Sequence, residues 1–202
     1  MTIVEERSVA REQAAARKAM IDSQLRTSGV TAGFVLERMA AVPREDFVPE
    51  TARKYAYVDR AIPLGNGRYL AAPLVQGRML EEAAPTLADK ALLVDGGSGY
   101  LAELLRPLVG TLEVVLPDAA QAKARKHGEF TLLIVDGAIE QLPAALAARL
   151  AENARVVTGL ISRGVTRLAA GRKTGGDVPL VPLAEMGIPA LPEFAAPKGW
   201  SF

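Results

Sequence analysis

The sequence predicts an α/β domain built on a largely parallel sheet, and three segments carry that reading. ALLVD is a short apolar run, followed at once by GGSGY and then by LAELLRPLV. A strand, a glycine turn and a helix in that order open a βαβ unit. TLEVVLP, rich in β-branched residues, reads as the next strand. FTLLIVD is apolar through its centre, as a parallel strand covered on both faces should be.

The elements follow in order. Residues 9–28 predict a helix in which Ala16, Met20, Ile21 and Leu25 recur at helical spacing, with Gly29 as its stop. Thr31 is the expected start of a second, shorter helix that carries Phe34, Val35, Leu36 and Met39 toward a core. Pro43 ends it by restricting Val42 and lacking an N–H of its own. Residues 44–73, with many Pro, Gly and aromatic residues, predict a structured loop of short helical or extended pieces. Residues 74–84 predict a helix, and residues 119–128 a short helix or turn after the second strand. Beyond the three strands, residues 142–151 read as a helix and 154–162 as a fourth strand. VTRLAAG and VPLVPLA read as antiparallel or edge segments, because proline suits an edge, with Gly175 and Gly176 marking the turn between them. The expected organisation is one domain, with residues 1–84 as a helical and loop cap and residues 85–202 as the sheet core.

Composition narrows the function. Lys and Arg total 24 and Asp and Glu 23, a formal net charge of +1, so no field of one sign recruits nucleic acid or an anionic membrane. There is no cysteine, which excludes disulfides, thiolate chemistry and cysteine-held zinc, and a lone histidine, His127, does not make a zinc site. The first residues mix charges without an apolar signal core, and no run approaches ~20 apolar residues. A cytoplasmic protein is the expectation.

Four segments in order, MIDSQLRTSGV, VLERMAAVPREDFVPE, AYVDRAIPLGNGRYLAAPLVQGRML and ALLVDGGSGYLAELL, closely resemble the protein-L-isoaspartate O-methyltransferase family. The later LPAALAARLAENARVVTGL is similar to a late helix and strand of that family. The resemblance implies a Rossmann-like class I methyltransferase sheet, shortened in its central region, behind an N-terminal helical cap. It also implies S-adenosyl-L-methionine as cofactor and isoaspartyl residues of damaged proteins as substrate. Methylation of the abnormal carboxylate there leads to a succinimide that can reopen to normal aspartate.

The cofactor-binding positions that the resemblance assigns are Asp95, Gly97, Ser98, Gly99 and Tyr100 in the glycine turn, and Asp118 after the second strand. Several of the family's positions are changed. Leu93 stands at an acidic position, Asp95 at a glycine, and Leu116 where a carboxylate would take the ribose hydroxyls. Asp118 either compensates for Leu116 or caps the next helix. Only AAQAKARKHGE separates the second strand from FTLLIVD, where the family has room for a further helix, strand and adenine-bracketing loop. Leu70, Ala71 and Ala72 replace a hydroxyl-bearing substrate motif ahead of Pro73.

These departures predict cofactor binding that is impaired or lost, and possession of no cofactor at all is the limiting case. The alternative is a noncatalytic scaffold or interaction module that self-associates as a homodimer. Among other candidates, Asp136 ahead of Gly137 reads as a turn former, the alternative being a carboxylate lining the crevice. His127, Arg125 and Lys126 read as surface residues. Arg163, Arg167, Arg172 and Lys173 read as a basic edge without a nucleic-acid motif. Trp200 and Phe202 read as aromatic anchors for the domain or a partner.

Overall fold

The computed structural model of the chain describes residues 3–121 and 127–196, with side chains from residue 7 onward. Arg125, Lys126, Trp200 and Phe202 lie outside the described residues. The cap opens with α1 (Ile3–Met20), which passes into a π-helical turn at Ile21–Leu25 and a 3-10 turn at Arg26–Ser28. Gly29 stops it in the left-handed region, as expected, at φ 87°. Met20, Ile21 and Leu25 are buried, but Ala16 is exposed, so this helix packs only through its last turns.

Helix α2 (Gly33–Ala41) begins two residues later than expected, and Thr31 does not cap it. The amides of Thr31 and Ala32 both donate to Glu81 Oε1, at 2.9 Å each. That carboxylate belongs to α3 (Pro73–Ala83), so a neighbouring helix satisfies the chain where it enters α2. Between these helices lie 3-10 turns at Arg44–Phe47 and Glu50–Tyr55 and a hairpin of β1 (Ile62–Gly65) with β2 (Arg68–Leu70).

The main sheet uses β3 (Lys90–Val94), β4 (Thr111–Val115), β5 (Phe130–Ile139), β6 (Leu150–Ser162), β7 (Val165–Arg172) and β8 (Leu180–Glu185). Their order is β4-β3-β5-β6-β7-β8. The first four are parallel, and β7 and β8 add antiparallel at one edge, as the proline-bearing segments foretold. Helix α4 (Tyr100–Leu105) follows β3, and the single turns α5 (Pro117–Ala120) and α6 (Ala144–Ala147) follow β4 and β5. The helix expected over residues 142–151 is thus only one turn, because Leu150 already enters β6. Thr174 bridges Asp177 across the Gly175–Gly176 turn, as expected.

Alternation along the strands divides the core into two apolar clusters. Ala91, Leu93, Leu132 and Ile134 face the cap and α3, together with Met20, Val35, Met39, Met79 and Leu101. Leu92, Val94, Leu133 and Val135 face the other way, onto Phe130, Leu146, Leu191 and Phe194. The two-residue period of the pleat then places Asp95 and Asp136 one step beyond Leu93 and Ile134, on the cap face. No helix among the described residues is long and apolar enough to cross a membrane.

The parts of the cap are tied together by Arg44, whose side chain is fully buried. Its Nε donates to Ala56 O at 2.8 Å, Nη1 to Gln76 Oε1 at 2.7 Å, and Nη2 to Ala71 O. The guanidinium also lies over the Tyr100 ring, 5.0 Å from its centroid. Truncation would leave three acceptors and a cavity in the interior. Arg44→Ala is expected to cost about 3–5 kcal/mol, measured by urea unfolding; a loss below about 1 kcal/mol would show that the cap is held elsewhere.

Candidate functional site

In open α/β sheets ligands bind at the carboxyl ends of the strands, and the glycine turn after β3 stands there between the ends of β4 and β5. Two of its glycines are sterically required. A Cβ on Gly96 would stand 2.3 Å from the carbonyl oxygen of Asp136, which no side chain tolerates. Gly97 adopts φ +108°, and the Arg68 stem lies 3.1–3.3 Å from where its Cβ would be.

Asp95 is occupied within this loop. Its carboxylate accepts from the Gly99 amide at 3.1 and 3.2 Å, and only 6% of the residue is exposed. Burial pushes its carboxyl above the usual range, opposed by the Gly99 and Gly97 amides and by the charge of Arg68. Ser98 Oγ accepts from the Tyr100 amide at 3.2 Å. The Tyr100 side chain turns away from the crevice into the core, edge-on to Phe47 with centroids 5.2 Å apart. Its hydroxyl is buried without a partner.

Asp136 corrects the sequence reading. It makes no turn: β5 continues through it to Ile139, and the carboxyl is buried. Gln76 Nε2 donates to its Oδ2 at 3.0 Å, while Oδ1 has no partner. A relay therefore runs from Arg44 through Gln76 to Asp136. Burial, and secondarily the nearby charge of Asp95, pushes the Asp136 carboxyl up to about 7, against the pull of Gln76 and Arg44. Asp136 lies within the register shift of β5 against β6 between Ile134 and Ala138, one residue past the last β5 partner of β3.

Leu93, in β3, is fully buried and faces the cap, while Leu116, just past β4, is 58% exposed. Asp118 is exposed in the first turn of α5. The capping role expected of it is not seen, since Leu116 occupies the N-cap and no side chain bonds there. Ala71 and Ala72 are buried beside the hairpin, and the Ala71 carbonyl is taken by Arg44. His127 is exposed, as expected. The expected basic edge is largely engaged: Arg167 pairs with Glu185, Arg172 donates to Asn153 O, and Lys173 donates to Leu150 O.

Three residues that line or support the site were not read from the sequence. Arg68 and Glu193 are joined across it by both guanidinium nitrogens, Nη1 to Oε2 at 3.2 Å and Nη2 to Oε1. Gln76 had a usable signal: it shares a helical face with Ala72, Met79, Leu80 and Ala83, and a polar residue on an apolar face needs a buried partner.

A carboxyl whose folded value is raised stabilises the fold fully below its unfolded value, and that stabilisation is lost as pH rises through the folded value. For Asp136 the window runs from about pH 4 to about pH 7. Asp136→Asn should therefore melt higher than the parent at pH 8 and within about 2 °C of it at pH 4. A variant that melts lower at both pH values would contradict a buried, costly charge.

Comparisons with known proteins agree with this architecture. The sequence profile of the protein-L-isoaspartate(D-aspartate) O-methyltransferase family matches residues 15–126. A protein-L-isoaspartate O-methyltransferase of Gloeobacter violaceus is 34% identical over 163 residues, covering 68% of this chain and 79% of its own length. The enzyme of that name from Roseiflexus castenholzii is 32% identical over 201 residues, covering 83% and 91%. Among solved structures, a Plasmodium falciparum protein described as a protein-L-isoaspartate O-methyltransferase, in complex with S-adenosyl-L-homocysteine, superposes with a TM-score of 0.71. That match covers 90% of this chain and 98% of the other at 17% identity, so it speaks to fold alone. A mixed sheet with a glycine turn at its carboxyl end, a helical cap in front and this extent of sequence identity lead to one conclusion: the chain belongs to the protein-L-isoaspartate O-methyltransferase family.

Proposed function

We propose that this chain binds S-adenosyl-L-methionine at the glycine turn and acts in the carboxyl methylation of isoaspartyl proteins, with its hold on the cofactor weakened. The observation that carries the reading is the glycine turn itself, set between the ends of β4 and β5, with Arg68 against Gly97 and open space beside Gly99. When bound, such a cofactor supplies an electrophilic methyl group for a carboxylate oxygen. This chain contributes the loop backbone that lets a ligand approach closely.

The residues present fit the two halves of the cofactor unequally. The glycine turn, with Arg68 above it, suits an amino-acid moiety bearing a carboxylate. The ribose half finds Leu116, which has no acceptor for a pair of hydroxyls, and Asp95 is already held by Gly99. Shortening supports the same conclusion. β4 is the edge of the described sheet, and the 201-position alignment to the Roseiflexus protein is longer than the 83% of this 202-residue chain that it spans. On the substrate side no hydroxyl stands at Leu70, Ala71 or Ala72, so orientation of an incoming carboxylate rests on other groups.

A noncatalytic, self-associating module is the second reading, favoured by Val114 and Leu116, apolar and exposed at the open β4 edge. Isothermal titration with S-adenosylmethionine and S-adenosylhomocysteine separates the two. The parent should bind with a dissociation constant near ~1 mM, about −4 kcal/mol, and Leu116→Glu should tighten it about tenfold. Low-micromolar binding by the parent would overturn the weakening. Absence of binding by parent and variant alike, with both folded, would favour the noncatalytic module.

A further inference from the structure

The turn that bears Glu193 comes from the far end of the chain. After β8 the backbone returns across the carboxyl end of β5, with the Ala138 amide donating to Pro189 O at 2.7 Å and the Leu191 amide to Ala138 O at 2.8 Å. The Glu140 and Gln141 amides donate to Phe194 O, and the Phe194 ring is buried. The 3-10 turn Pro192–Phe194 is therefore fixed by backbone bonds and one aromatic anchor. Its Glu193 side chain is not needed to hold it there.

That side chain nevertheless forms a two-pronged ion pair with Arg68, and the Arg68 stem packs against Gly97. The pair straddles the glycine turn: β2 supplies one half and the returning segment the other. Gln121, at the end of α5, donates to the Glu193 carbonyl and closes the third side. Both groups keep partial access to solvent, with 24% of the Arg68 side chain and 15% of the Glu193 side chain exposed. A guanidinium fork recognises a carboxylate by geometry rather than by identity, so a ligand carboxylate can take the place of the resident one.

The geometry points to Arg68 as a carboxylate-binding residue of the glycine-turn crevice, held in the free protein by Glu193 as an internal competitor that an incoming carboxylate displaces. This deepens the cofactor reading above and rests on it. Two sources of carboxylate meet at such a crevice: the amino-acid end of the cofactor and the isoaspartyl side chain. Exchange is local, since the Pro192–Phe194 turn keeps its backbone bonds while one side chain swings away.

Titration of S-adenosylhomocysteine and of 5′-methylthioadenosine, which lacks the amino-acid end, into the parent, Glu193→Gln and Arg68→Met distinguishes the sources. Circular dichroism confirms that each variant is folded. Glu193→Gln should tighten S-adenosylhomocysteine about fivefold and Arg68→Met weaken it about tenfold, with methylthioadenosine changed less than about twofold by either. If both nucleosides shift together, or neither shifts, the exchange is overturned while cofactor binding stands. If no protein binds either nucleoside, the cofactor reading has failed. A short isoaspartyl peptide titrated into the same three proteins then decides the substrate source. Tighter peptide binding by Glu193→Gln and loss in Arg68→Met would show that the isoaspartyl carboxylate exchanges at the same fork; equal or absent binding would overturn that source.

Discussion

A guanidinium buried without a carboxylate in contact is costly unless its donors find partners, and Arg44 draws three hydrogen bonds and a ring contact from four separate parts of the chain. It takes the carbonyls of Ala56 and Ala71, the amide oxygen of Gln76 and the face of Tyr100. Those groups belong to the turns after α2, the end of the hairpin, α3 and the first turn of α4. Each must be in place before the charge is satisfied. The cap, the hairpin and the glycine-turn helix are thereby positioned against one another by a single side chain.

The same constraint reaches the candidate site. Gln76 passes the polar contact on to Asp136, and Asp136 stands beside Asp95 because β3 and β5 are paired in register up to Val94 and Val135. Two carboxyls at neighbouring strand ends do not ionise independently, which is why burial and the Asp95 charge both act upward on Asp136. The unpartnered Oδ1 of Asp136 is the one polar atom of this relay left over. The backbone at the same residue excludes any side chain from Gly96. Structural support and site geometry are therefore carried by the same few residues.

The departures from the family pattern have different physical weights. Leu93 is absorbed into the cap-side core, where a leucine packs well. Asp95 has found a local use, closing its own turn through Gly99. Leu116 is apolar and exposed just past β4, with the exposed Asp118 two positions further on. β4 is an edge strand of the described sheet, and Leu116 lies exposed just beyond it.

Much of this architecture was legible in the sequence because it depends on local periodicity. Unbroken apolar runs marked β3 and β5 as doubly covered strands, proline marked the edge at β8, and glycines marked the turns. Thr31 and residues 142–151 misled for a related reason: local signals name a helix start or a helix-forming composition, but Glu81 from another helix and the early start of β6 overrode them. Asp136 read as a turn former from its neighbour Gly137, ahead of the alternative of a crevice carboxylate, although alternation along β5 places it on the cap face. The long-range pairings were not legible. Arg44 with Gln76, and Arg68 with Glu193, are separated by 32 and 125 positions, and no periodicity spans such distances. Sequence alone determined which segments become strands, turns and helices; only the tertiary structure decided which charges share the crevice, because that follows from how the chain ends return to the sheet.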